Sequence, residues 1–144
     1  NTRENKRLQL SLRRFYREKN NGGHEIKSLL TINKDEFRAH IDSYKLEGMF
    51  QENFGTYWGL DHIVPAGLFD IDNIEERKIC YSYINIMPME NMDNRIKGAS
   101  IHFSLEKINL LLKKEHKEEI IVILENLKER CIQEIKNRYD KYFI

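Results

Sequence analysis

Tyr57-Trp58-Gly59-Leu60-Asp61-His62-Ile63-Val64-Pro65 sets an acid and an imidazole side by side within a run of aromatic and β-branched residues. Such residues suit a pleated, half-buried surface, and they predict a strand over 57–64. A second run of the same character, Ile79-Cys80-Tyr81-Ser82-Tyr83-Ile84-Asn85-Ile86-Met87, predicts another strand over 79–87. Between them lies a charged loop around Asp70 to Lys78, with room for a helical turn over Asn73 to Cys80 that would shorten the second strand. Pro88 is expected to break the run, and Glu90-Asn91-Met92-Asp93-Asn94-Arg95-Ile96-Lys97-Gly98 reads as a short helix closed by glycine. The predicted order is strand, loop, strand, helix.

Working outward, Asn33 followed by Glu36 resembles a capping box, and Phe37, Ile41 and Tyr44 mark one face of a helix ending before Gly48. Met49, Phe50, Phe54, Tyr57 and Trp58 crowd aromatic bulk just ahead of Asp61-His62, in the manner of a core wall. At the start of the chain, Leu8, Leu12, Phe15 and Tyr16 recur at helical spacing. Seven basic residues (Arg3, Lys6, Arg7, Arg13, Arg14, Arg17 and Lys19) surround them against Glu4 and Glu18. This helix should stop near Asn20-Asn21-Gly22-Gly23. A solvated amphipathic helix docked on the core and a DNA-contacting one both fit the pattern.

From Ser104 onward Leu105, Ile108, Leu111, Leu112, Ile120, Ile123, Leu124, Leu127, Cys131 and Ile135 form one broad apolar stripe, with nearly balanced Lys and Glu elsewhere. That is a salt-bridged, solvated face rather than a phosphate-binding one. The stripe serves either packing back on the domain or a homodimer through the C-terminal helices. Three parts follow: a basic helix and loop over 1–32, a core over 33–100 and a helical extension over 101–144.

The bulk numbers agree with one domain. The chain has 144 residues, 40% hydrophobic, and its 24 basic and 23 acidic residues leave a formal charge of +1. No global field marks a polyanionic partner, so a nucleic-acid surface must be local, with modest affinity that falls with salt. Cys80 and Cys131 stand far apart without a paired CxxC, which implies free thiols, a reducing compartment and no structural zinc. No apolar run reaches membrane-spanning length, and Asn1-Thr2-Arg3 opens a charged stretch. The expected location is intracellular, in the cytoplasm of a host cell, or the nucleus of a eukaryotic one.

Asn85 follows His62 by 23 residues, and Asn94 comes nine later. An acid, an imidazole and two carboxamides are the parts of a compact one-metal site for phosphodiester cleavage. His62 suits the general base, because a neutral imidazole accepts a proton near neutral pH. Asp61 offers a hard oxygen donor for magnesium or manganese, and Asn94 a neutral amide oxygen beside it. Neighbours on a strand point to opposite faces, so Asp61 and His62 can share one site only if the ribbon is twisted or irregular there. Asn85 is placed to hydrogen-bond backbone near His62 and hold the imidazole in orientation. Lys97, one turn beyond Asn94, is a candidate phosphate contact and Arg95 a weaker one, alongside Arg13, Arg14 and Arg17 of the first helix.

The wording around these residues is also distinctive: Glu47-Gly48-Met49, Glu52-Asn53-Phe54-Gly55, Trp58 to Pro65, Phe69-Asp70, Tyr83-Ile84-Asn85-Ile86-Met87-Pro88-Met89 and Asp93-Asn94-Arg95-Ile96-Lys97-Gly98. It closely resembles the HNH endonucleases of phage and other viral genomes, over about residues 33–100. The resemblance implies an α+β chain with a ββα-metal core, His62 as general base, a divalent ion on Asp61 and Asn94, and Asn85 orienting the catalytic loop. It also implies that the helix of Asn94 and Lys97 lies along the DNA backbone. Asn94 stands where the name-giving pattern has a second histidine, and the paired CxxC zinc knuckles found in other members are absent. The implied activity is metal-dependent DNA cleavage, one nick per active site. The alternatives are a silent DNA-binding module of the same fold and a nuclease acting on RNA.

Overall fold

The computed structural model describes residues 2–17, 24–91 and 117–127. Among the described residues five helices, α1 (Thr2–Arg17), α2 (His24–Leu30), α3 (Lys34–Tyr44), α4 (Ile74–Cys80) and α5 (Lys117–Asn126), surround a two-stranded antiparallel sheet of β1 (Trp58–His62) and β2 (Ile86–Glu90). The architecture is α+β.

Helix α1 carries its apolar stripe into the centre. Leu8, Leu12, Phe15 and Tyr16 are buried in one cluster with Phe37 and Ile41 of α3 and with Trp58, Ile86 and Met89 of the sheet. Each such side chain contributes about 1.5–3 kcal/mol on burial. Four of them make the docking of α1 comparable with the roughly 5–15 kcal/mol that holds a whole domain together. Arg38 of α3 closes the end of this helix by donating Nε and Nη2 to the Tyr16 carbonyl, at 3.2 and 2.9 Å. Ile120, Ile123 and Leu127, from the C-terminal stripe, join the same cluster.

The capping box at α3 forms as the sequence predicts, with Glu36 N–H donating to Asn33 Oδ1 at 2.8 Å and Asn33 N–H to Glu36 Oε1 at 3.3 Å. Helix α2, which the sequence reading leaves as loop, is joined to α3 through Thr31 at φ 67°. The Glu52-Asn53-Phe54-Gly55 motif builds the entry to β1. Asn53 Oδ1 accepts from Phe50 N–H at 2.8 Å and its Nδ2 donates to the Gly48 carbonyl at 2.8 Å. Gly55, at φ 91°, turns the chain so that its N–H reaches the Trp58 carbonyl at 2.8 Å. Only glycine holds that conformation without strain.

The second strand departs from the sequence reading in two ways. It starts at Ile86, because the 79–85 stretch completes α4 and then forms a short 3-10 turn, Tyr83–Asn85. Asn73 caps α4 by accepting from Glu76 N–H at 3.1 Å, and this local turn chemistry outweighs the strand preference of the tyrosines. Pro88 does not break the strand but sits within β2, opposite Leu60. The reason is phase. Ile63 N–H donates to the Asn85 carbonyl and Asn91 N–H to the Tyr57 carbonyl. The ladder bonds therefore fall on alternate pairs that leave out Leu60–Pro88, and the proline nitrogen faces the outer edge, where no ladder donor is needed. On that edge, His40 Nε2 of α3 lies 2.9 Å from the Ile86 carbonyl. The helix expected over 90–98 lies outside the described residues beyond Asn91, as does most of the predicted C-terminal stripe.

Candidate active site

Strand β1 alternates regularly: Trp58, Leu60 and His62 are buried, while Gly59 and Asp61 on the other face are partly open. The alternation puts the Asp61 and His62 side chains on opposite faces with His62 at the last position of the strand, so a site shared by the two has to form around the end of β1. The Tyr81 ring packs edge-on against His62 with centroids 4.7 Å apart. Burial pushes the Tyr81 phenol well above its ordinary range, and the charges of Cys80 and Asp61 push it the same way.

His62 ends β1 and is 1% exposed. Its Nδ1 lies 2.9 Å from the Cys80 carbonyl, an acceptor only, so Nδ1 carries a proton there. In the neutral ring Nε2 is then the lone-pair nitrogen. Gln9 of α1 covers it, with its amide nitrogen 2.6 Å from Nε2. The same helix holds the neighbouring phenol, since the Tyr81 hydroxyl donates to the Asn5 side chain and to the Asn5 carbonyl, the latter at 3.2 Å.

Asn85 is 0% exposed and uses its whole amide. Oδ1 accepts from Val64 N–H at 2.8 Å, and Nδ2 donates to the Val64 carbonyl at 3.2 Å and to the Cys80 carbonyl at 3.0 Å. The Cys80 oxygen thus receives both the imidazole and the carboxamide. Asn85 ties the chain leaving β1 to the chain leaving α4, and the shared carbonyl sets the tilt of the ring. This is a positioning arrangement in which the asparagine acts on His62 through backbone.

Of the other expected site residues, Arg13, Arg14 and Arg17 are exposed on α1. The Arg17 guanidinium stands 5.4 Å from the Phe54 ring centroid. Asn94, Arg95 and Lys97 lie outside the described residues. Asp61 is therefore the described member of the expected metal pair, and among the described residues no three His, Cys, Asp or Glu side chains cluster as a metal cage. Gln9 and Tyr81 have no sequence signal as site residues: Gln9 meets His62 across 53 positions. The Cys80 carbonyl is a group that any residue would supply, although its Sγ also lies 3.8 Å from His62 Nδ1.

Among the described residues no helix is long and apolar enough to cross a membrane. Over 72 residues, 50% of this chain, the sequence is 38% identical to Uncharacterized protein L426 of Acanthamoeba polyphaga mimivirus, covering 32% of that protein. Over 92 residues, 62% of this chain, it is 26% identical to Uncharacterized protein L246 of the same virus, covering 41% of it. No family model matches the chain and no solved structure matches it. The chain thus resembles segments of two larger mimivirus proteins and spans about a third of the length of one and two fifths of the other.

Proposed function

We propose that this chain is a metal-dependent DNA endonuclease of the HNH type, with a ββα-metal core, in which His62 activates the attacking water. The observation that carries the reading is the shared Cys80 carbonyl, which holds the His62 Nδ1–H at 2.9 Å and the Asn85 amide at 3.0 Å. A general base needs one tautomer and one orientation, and this arrangement supplies both. Nε2 is left to take the proton from water as it attacks phosphorus. The Asp61 carboxylate with the Asn94 amide oxygen is a hard donor set suited to magnesium or manganese. When bound, such an ion neutralises charge on the phosphate and on the departing oxygen.

In this reading the water takes the place of the Gln9 amide. Undocking α1 would forfeit several buried side chains, whereas rotating one glutamine side chain gives up a hydrogen bond worth about 1 kcal/mol. Side-chain rotation is the cheaper route by a wide margin. Asn85 positions, Asp61 and Asn94 bind the ion, and Lys97 and Arg95 would meet backbone phosphates.

The test is cleavage of supercoiled plasmid with magnesium, with and without chelator, read as nicked against linear product. His62→Ala should lower cleavage by a factor of about 10²–10⁴. The emission of Trp58, the single tryptophan, reports whether the fold is kept. Undiminished cleavage by His62→Ala would sink the assignment. A second reading, a DNA-binding module without turnover, draws on the 1% exposure of His62 beneath Gln9. Wild-type protein that binds plasmid and leaves it supercoiled in magnesium would favour it. The same assay on a structured RNA separates DNA from RNA cleavage.

A further inference from the structure

Arg13 and Arg17 stand one helical turn apart on α1 and line a cleft of about 440 Å³ whose other walls include Phe54, Gly55, Gly59 and Asn91. Among the described residues no acidic side chain lines it. Several other basic residues have acidic neighbours, Arg7 and Arg77 at Glu4, Lys45 at Asp42 and Lys78 at Glu75. Among the described residues neither Arg13 nor Arg17 has an acidic partner.

The cleft is also built rather than incidental. Arg17 lies over the Phe54 ring at 5.4 Å, and a Cβ at Gly55 would come within 3.5 Å of its Nη2. Asn91 pins the facing loop by donating Nδ2 to the Thr56 carbonyl at 2.8 Å. Gly59 is a wall without a side chain, which lets a ligand approach the strand backbone. Two forked guanidinia around this cleft make a seat for an anion with several acceptor oxygens, such as a phosphate.

Strand alternation puts Gly59 on the same face as Asp61, two residues and roughly 6.6 Å along β1. We infer that Arg13 and Arg17 seat a backbone phosphate of duplex DNA flanking the phosphate held at Asp61. The inference rests on the nuclease reading for the role of Asp61. The seat sets the register of the strand and carries no sequence information, and Arg14, equally exposed and outside the cleft, has no part in it.

The test uses the full chain and a short fluorescein-labelled DNA duplex in chelator, with anisotropy titrations across about 50–200 mM salt. Arg13→Gln/Arg17→Gln should weaken binding and reduce the slope of log affinity against log salt by about 0.9, the value for one neutralised phosphate. Arg14→Gln should leave both almost unchanged. Arg13→Lys/Arg17→Lys should keep the slope and lose affinity, because lysine retains charge without the fork. An unchanged slope in the double glutamine variant overturns the inference. So does an Arg14→Gln loss equal, per charge, to that of the pair, or an absence of wild-type binding. Plasmid cleavage is scored separately. Wild type that binds through the pair without cutting keeps the seat and sinks the nuclease, and wild type that cuts while the double variant binds normally does the reverse.

Discussion

Asn85→Ala is the perturbation with the best-defined outcome. The substitution removes an acceptor from Val64 N–H and a donor from the Val64 carbonyl, and Val64 is itself fully buried. Neither group has another backbone partner recorded among the described residues. The Cys80 carbonyl, by contrast, keeps the His62 Nδ1–H. Two stranded buried groups cost about 1–3 kcal/mol each, so the variant should lose about 2–6 kcal/mol. That is a large part of an ordinary domain's stability. Urea unfolding followed by Trp58 emission measures it, since that indole is buried at the start of β1, with its Nε1 donating to the Phe50 carbonyl at 2.7 Å. The midpoint should fall with the denaturant slope unchanged. A loss below about 1 kcal/mol would refute the reasoning, because Val64 would then have found other partners. Asn85→Asp adds a sign. A carboxyl facing two carbonyls in a buried site has its pKa raised, so the folded state holds the proton longer than the unfolded one. Its stability relative to wild type must therefore fall as pH rises through the carboxylate range.

Other outcomes follow from the same contacts. Burial raises the phenols of Tyr81 and Tyr16 above the ordinary tyrosine value. Their contribution is complete below about pH 10 and is lost as pH climbs beyond it, so alkaline unfolding should be shallower in Tyr81→Phe; an identical alkaline limb counts against that cause. Thr31, β-branched at φ 67°, is strained, and Thr31→Asn should raise stability by about 0.5–1 kcal/mol in the same urea assay, a fall showing that the lost 2.6 Å bond from its hydroxyl to the Leu30 carbonyl outweighs the relief. Gly55→Ala, at φ 91°, should cost about 1–2 kcal/mol by urea unfolding, and a neutral result would mean the turn relaxes freely. If the proposed base works at Nε2, Gln9→Ala should cleave plasmid at least as fast as wild type. A marked loss with the fold intact would show that the amide serves the reaction instead of merely occupying the water's place.

The comparison of sequence with structure divides by range. Features that depend on a few consecutive residues were legible: the Asn33–Glu36 box, the α1 stripe of Leu8, Leu12, Phe15 and Tyr16, the strand at Trp58–His62 and the helical turn at Asn73–Cys80. Capping and periodicity are local physics, so the chain states them directly. The place of Pro88 is not legible in sequence because a proline's tolerance in a strand depends on which edge its nitrogen faces. That edge is set by the pairing partner and cannot be seen from one strand alone. Helix α2 is not legible in sequence because seven residues give too little periodicity. At the candidate site, His62, Asn85 and Asp61 could be named from residue type, and the resemblance gave each a role. The Cys80 carbonyl, the Gln9 amide on Nε2 and the division of Arg13 and Arg17 from Arg14 came only from tertiary structure. By itself, the sequence determined which side chains are chemically able to act. Their burial, tautomer and partners depend on contacts across tens of residues, and only the packed core that presses α1 onto β1 decides those.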